Sequence, residues 1–285
     1  MKTTLDHLPS DKQREILEIL EIIKEEANPE KIILFGSYAK GDWVEDKYRE
    51  DGVTYTYISD YDFLVVIKKN GIKEQAIISH IENRCEGYKN VVSPIVHDID
   101  YINEGLLIGQ YFFTEIINDG ILLFDSGNFQ LARAKTLTVE EEKSKAKGYF
   151  DMWFPMGLEF LKLAENKLGQ ENLRIGAFMM HQAAEYFYSA ALLVHTGYKP
   201  KTHNLHKLRN YSKHLSTNLY SIFRSPVSDT NELRLFDLLK KGYIDARYKL
   251  DYLITESEYS ALLEKLKRMK VVVEELCEQR IASFV

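Results

Sequence analysis

Cysteine is scarce: Cys85 and Cys277 are the only two in 285 residues, too few and too far apart for a disulfide framework or a zinc site. That usage fits a reducing compartment. No apolar run reaches the roughly eighteen residues that span a bilayer, and Met1-Lys2-Thr3-Thr4-Leu5-Asp6-His7 lacks a signal-peptide core. A cytoplasmic protein with no membrane partner is therefore expected. Positive charge is also short. The 37 Lys and Arg are outnumbered by 43 Asp and Glu, and the net charge of -6 argues against a general nucleic-acid surface. A local basic groove stays compatible with that balance. There is no internal repeat and no low-complexity segment, and 45% hydrophobic with 28% charged residues is ordinary for a globular chain. The length allows two domains.

The pattern of elements changes once along the chain. Pro9-Ser10-Asp11 opens a helix with Ile16, Leu17, Leu20 and Ile23 at helical spacing, and Asn28-Pro29 closes it. A strand to Phe35, a short helix after Gly36, a strand after Asp60 and a helix from Gly71 to Glu86 with Ile72, Ala76, Ile77 and Ile81 inward follow. A strand to His97, a helical stretch from Ile99 to Asn118 and a short strand from Gly120 to Asp125 complete this half. Asp125-Ser126-Gly127-Asn128 then marks the boundary, and nearly everything beyond it reads as helix. Thr138 with Glu141 forms a capping box for a long helix that crosses Pro155. The expected fold is an α+β domain, residues 1–127, with a small mixed sheet flanked by helices, followed by an all-α bundle of about five helices, residues 128–285.

Two short pieces carry chemistry. Gly36-Ser37-Tyr38-Ala39-Lys40-Gly41 follows the apolar run Lys31-Ile32-Ile33-Leu34-Phe35, and Asp60-Tyr61-Asp62 opens the apolar run Phe63-Leu64-Val65-Val66-Ile67. Side chains alternate along a strand, so Asp60 and Asp62 point the same way and can hold divalent ions. Gly36 lets a backbone approach a phosphate closely, and Ser37 adds a hydroxyl donor. The Gly-Lys-Ser/Thr ending of a P-loop is missing.

This pairing of a Gly-Ser step with an Asp-x-Asp resembles the minimal nucleotidyltransferases of the polymerase-beta-like superfamily, over roughly residues 8 to 125. The resemblance implies transfer of a nucleoside monophosphate from an NTP, with ATP the expected donor, to a hydroxyl acceptor, with release of pyrophosphate. Asp60 and Asp62 would ligate a two-ion Mg²⁺ site, and Gly36, Ser37 and Lys40 would hold the triphosphate. The acceptor is open between a small molecule, a protein hydroxyl and an RNA end. Two departures stand out. The spacer from Asp42 to Ser59 is long, and Asp51-Gly52 before Val53-Thr54-Tyr55-Thr56-Tyr57 suggests an added hairpin. The third carboxylate usual in active members is missing from the strand Asn90 to His97, which leaves Asp98, Asp100 or His97 as the expected proton acceptor.

In the helical half, Phe178-Met179-Met180-His181-Gln182-Ala183-Ala184-Glu185, then Gly197 to Leu205, then Ala246-Arg247-Tyr248 resemble the HEPN family, over roughly residues 138 to 280. That resemblance implies a helical partner that completes or regulates the first domain's site, and a homodimer. Many HEPN toxins cut RNA with an Arg and a His a few residues apart on a late helix. Here no His follows Arg247, and the spacing of Arg174 and His181 falls on an earlier helix, so the ribonuclease reading ranks below the transferase. A nucleotide-binding regulatory module without turnover, and a toxin and antitoxin fusion, are the alternatives. His203 and His206 lack further metal-ligand spacing, and Arg247 near Asp245 and Asp251 is either an ion-pair centre or a phosphate contact.

Overall fold

A computed structural model describes residues 1–50, 53–69, 73–170, 172–223 and 230–285, with backbone only at 46–50 and 53–57. The expected Asp51-Gly52 turn and Ile72 lie outside the described residues. Two compact units emerge, one comprising Met1–Glu50 and Tyr55–Thr136, the other including Leu137–Val285.

The first unit is α+β. Helix α1 (Ser10–Ala27) buries Ile16, Ile19, Leu20 and Ile23, while Leu17 faces solvent. Ile19 takes the place expected of Leu17, because positions 16, 19, 20 and 23 trace one stripe at 3.6 residues per turn. Asn28 ends the helix in the left-handed region at φ 43° and returns its N–H to Lys24. The four strands that follow, β1 (Lys31–Phe35), β4 (Tyr61–Ile67), β5 (Val92–Asp98) and β6 (Ile121–Asp125), form one mixed sheet in the order β5-β4-β1-β6. β1 runs antiparallel to β4 and β6, and β4 runs parallel to β5. β4 is buried along its whole length, as a central strand covered on both faces must be.

Alternation sorts the sheet's side chains. Ile32, Leu34, Phe63, Val65 and Val96 join the core under α1 and α3 (Glu74–Arg84). In α3 the inward residues are Ile77 and Ile81, whereas Ala76 is exposed. The stretch after His97 is two helices, α4 (Ile99–Leu107) and α5 (Tyr111–Asp119), separated by Gly109 at φ 67°. A left-handed residue there stops one helix and lets the next begin. Between α2 (Gly36–Lys40) and β4, β2 (Glu45–Glu50) and β3 (Val53–Ile58) form a separate two-stranded sheet, where the added hairpin was expected.

Glu45 anchors the root of that hairpin. Its carboxylate meets Lys12 at 2.5 Å and Lys89 at 2.6 Å. Hydrogen bonds from Lys12 and Lys89 hold Glu45 at about 2, below its usual 4.5. A depressed carboxyl contributes stability that is present above pH 4.5 and lost as pH falls through about 2. Urea unfolding across that window should therefore show a loss of stability on acidification that Glu45→Gln flattens. An unchanged slope in the variant would contradict the assignment.

The second unit is helical. α6 (Val139–Glu165) starts at the Thr138–Glu141 capping box and runs through Pro155 without a break. It packs along α7 (Arg174–Thr196), which is buried over most of its length. α8 (Leu205–Ser212), α9 (Thr217–Ser221), α10 (Thr230–Lys241) and α11 (Asp245–Tyr248) follow, and α12 (Glu256–Ala282) closes the bundle behind a second capping box at Thr255. Tyr186-Phe187-Tyr188 is packing: Phe187 and Tyr188 are buried, and Tyr186 stacks on Phe160 and meets Trp153 at a tilt. Among the described residues no helix is long and apolar enough to cross a membrane.

Candidate functional site

The sheet register brings the two sequence pieces together. Asp62 lies opposite Phe35 of β1 and Ser93 of β5. Asp60, just ahead of β4, accepts a hydrogen bond from the Ser93 hydroxyl at 3.4 Å. Both carboxylates thus turn to the Ser93 side. Tyr61 between them turns the other way, donating to Glu15 at 2.5 Å and packing its ring on Tyr38 at 4.5 Å. Each aspartate is only 7% exposed. Two acids that deep, bracketing a core tyrosine, are unusual unless something charged or polar answers them.

Gly36 closes the other wall. It sits at φ 72°, and a Cβ there would lie 2.5 Å from Oδ2 of Asp62, so only glycine lets the β1–α2 corner approach the carboxylate. The next residue, Ser37, is buried, and its Oγ has no hydrogen-bond partner among the described residues. A buried hydroxyl left without a partner among the described residues is a donor awaiting an acceptor.

A buried polar network braces this corner from behind. Asn90 donates to the Tyr38 hydroxyl at 2.7 Å and to the Ser59 carbonyl at 2.9 Å, and accepts from Lys12 at 3.0 Å. Burial, then the nearby charge of Glu45, pushes the Tyr38 hydroxyl well above its ordinary range, so it stays protonated. Trp43 stacks on Tyr38 at 5.6 Å. Ser93 and Asn90 carry no motif signal and come to the site through strand pairing and long-range contact, whereas Tyr38 arrives with the Gly36-Ser37 piece on α2.

The other expected site residues are elsewhere. His97 is four positions beyond Ser93 on β5, about 13 Å at ~3.3 Å per residue, with its Nδ1 at 3.2 Å from Glu74 and its ring on Tyr101. Asp98 caps α4, accepting the Tyr101 N–H at 2.9 Å, and Asp100 lies in the first turn of that helix. The structure does not bring His97, Asp98 or Asp100 to the aspartate pair, because β5 runs parallel to β4 and carries its C-terminal end away from Asp60. Lys40 is also drawn off, ion-paired to Glu115 and, at 3.7 Å, to Asp119. Burial alone would lower its pKa, but Glu115 raises it. Among the described residues no three His, Cys, Asp or Glu side chains converge as a metal cluster.

The helical unit has its own polar centre. Glu185 of α7, buried, faces His203 with both oxygens 3.0 Å from Nδ1, and Lys199 lies at 3.9 Å. His203 precedes α8 rather than sharing a helical face with His206. Tyr243 stacks on His203 at 4.6 Å and His181 at 5.1 Å. His181 is buried, and burial first of all holds its pKa down. Among the described residues Arg247 is no ion-pair centre. Its guanidinium lies among the Phe178, Tyr243 and Tyr248 rings at 4.7, 4.7 and 4.9 Å, and Asp245 pairs with Lys249 instead. Arg174 is spent on the carbonyls of Ala246 and Lys249.

Residues 150–276 match the HEPN domain family. No curated protein matches the chain. The HEPN region covers α7 through α11 and most of α6 and α12, so the polar centre at Glu185 belongs to it. The α+β unit lies outside the match.

Gly36→Ala is the sharpest local test of the aspartate corner. A left-handed backbone costs an L-residue about 1–2 kcal/mol, and the new methyl displaces the Asp62 carboxylate. Urea titration should show destabilisation of about that size, and any binding of a Mg²⁺–nucleotide at this corner should fall at least about tenfold. Unchanged binding would mean the corner does not touch the ligand.

Proposed function

We propose that this protein is a Mg²⁺-dependent nucleotidyltransferase acting on ATP, with the HEPN region completing or regulating the acceptor site. One observation carries the reading: a buried aspartate pair against a glycine whose left-handed backbone leaves no room for a Cβ, next to a buried serine whose hydroxyl has no hydrogen-bond partner among the described residues. The donor set fits magnesium, which favours one or two carboxylates together with phosphate oxygens and water. Bound there, the metal would supply charge that stabilises the attacking and leaving oxygens. Asp60 and Asp62 hold it, the Gly36 backbone and the Ser37 hydroxyl hold the triphosphate, and the acceptor oxygen attacks the α-phosphorus. The bond to the β-phosphate oxygen breaks and pyrophosphate leaves. With His97, Asp98 and Asp100 held elsewhere, the acceptor's proton leaves to solvent water, while Ser93 donates to Oδ2 of Asp60 and steadies that carboxylate. Incubation with each α-labelled NTP, Mg²⁺ and candidate acceptors, small-molecule, protein and RNA, tests this. Label transfer with pyrophosphate release supports it, and tight binding without release supports a regulatory nucleotide-binding module. The expected setting is a cytoplasmic homodimer.

The family match favours a second reading, a ribonuclease. His203 is 57% exposed at its side chain with Nδ1 held by buried Glu185, so Nε2 is the ring nitrogen that could take a proton from a hydroxyl. RNA cleavage in EDTA that survives Asp60→Asn and disappears in His203→Gln would support it.

A further inference from the structure

We propose that the helical unit holds a separate anion site at Arg209, shaped for one phosphate group of a small ligand such as a nucleoside monophosphate. Arg209 projects inward from α8 and is 4% exposed. A guanidinium cannot shed its charge, and burying one without a counter-charge is strongly unfavourable. Yet among the described residues no carboxylate pairs with it. Its Nε donates to the Tyr220 carbonyl at 3.1 Å, and its Cζ lies 3.7 Å from the Tyr220 ring centre and 5.8 Å from that of Phe236. The carbonyl takes one of the five N–H donors in the guanidinium.

A second observation is independent of the first. The Tyr188 hydroxyl is fully buried and lacks a hydrogen-bond partner among the described residues. It lies on α7, against which the α8 helix that carries Arg209 packs. An acceptor oxygen placed between them would satisfy the hydroxyl and neutralise the guanidinium at once.

The sequence around Arg209 is basic. From Glu185 to Asp229 the chain has no acid between the two, against six lysines and arginines, in a protein whose net charge is -6. Burial, and then the charges of Arg209, Lys240 and Lys207, hold His206 below its ordinary pKa. Lys213, also buried, has its ammonium 5.9 Å from the Tyr220 ring centre. Phosphate suits the planar guanidinium fork, which binds two of its oxygens in parallel. Arg209 lies too deep for a continuous nucleic-acid backbone, so the ligand is a small molecule that inserts a single phosphate. The site lies wholly within the helical unit and does not depend on the transferase reading.

The full chain should be titrated with inorganic phosphate, AMP and a short single-stranded RNA, following heat of binding and thermal unfolding, in wild type, Arg209→Lys, Tyr188→Phe and Asp62→Asn. Saturable binding of phosphate or AMP is expected, with a melting temperature that rises with ligand concentration. Binding should weaken at least about tenfold in Arg209→Lys, which loses the fork, weaken in Tyr188→Phe, and persist in Asp62→Asn. Tyr188→Phe removes only an unpaired hydroxyl and should fold as well as wild type, so the test survives if Arg209→Lys does not fold. Phosphate binding as tightly as AMP points to the free anion as ligand; AMP binding tighter points to a nucleotide. The proposal is overturned by the absence of saturable binding, by wild-type affinity in Tyr188→Phe, by loss of binding in Asp62→Asn, or by a response to RNA alone.

Discussion

Asp62→Asn should cut magnesium-dependent nucleotidyl transfer by on the order of a thousand-fold while changing the stability of the α+β unit by less than about 1 kcal/mol. Two properties of Asp62 lead to this split. The carboxylate is central to the site, packed against Gly36 and in register with Ser93, so an amide in its place offers a metal one neutral oxygen instead of an anionic pair. The replacement is also isosteric: it keeps the contact with the glycine and leaves β4 undisturbed. Asp60→Asn should behave alike, with one difference. Its amide oxygen can still accept the Ser93 hydrogen bond, so that contact is kept while the charge is lost. The double variant should lose little beyond either single one, because the pair acts as a unit. Initial rates of pyrophosphate release beside urea titrations of the same preparations check both halves. A variant that unfolds, or one that keeps its rate, contradicts the roles given to these acids.

Gly176→Ala should destabilise the helical unit by about 3–4 kcal/mol, combining overpacking with a broken buried hydrogen bond. Gly176 lies in the first turn of α7, where an added Cβ would meet the Tyr259 hydroxyl oxygen at 1.9 Å and its ring carbons at 2.6 and 2.8 Å. Tyr259 cannot retreat. It is fully buried on α12 and donates to the Ala164 carbonyl at 2.7 Å near the end of α6. One methyl therefore strains the meeting point of the three longest helices. For a unit of this size the loss corresponds to about 10 °C in the unfolding midpoint. Tyr259→Phe removes the nearest oxygen, so the double variant should be less damaged than the sum of the single ones. Additive effects would show that the clash is absorbed elsewhere.

The parts of this molecule that depend on neighbouring residues were legible in the sequence. Side-chain alternation alone put Asp60 and Asp62 on one side, and the Thr138–Glu141 capping box marked the start of α6. Gly109 stood in plain view, but a glycine inside an apolar helical pattern reads as tolerated until its positive φ is seen. Leu17 and Ile19 both fit a helical stripe within the error of a short window, and only the position of the sheet chose Ile19. Contacts across long separations were not legible. Ser93 meets Asp60 through a parallel strand pair, Glu185 meets His203 across a loop, and the rings around Arg247 come from two helices and a turn. The expected base failed for the same reason. His97 and Asp98 were assigned to the site from their place at a strand end, but the direction of β5 decides which end is near Asp60.

A crystal structure of the protein with Mg²⁺ and a non-hydrolysable ATP analogue should show a metal within about 2.1 Å of oxygens from both Asp60 and Asp62, with the triphosphate lying along the Gly36 backbone and the Ser37 hydroxyl hydrogen-bonded to it. Nucleotide bound away from that corner, or metal that leaves both aspartates unligated, would contradict the transferase reading.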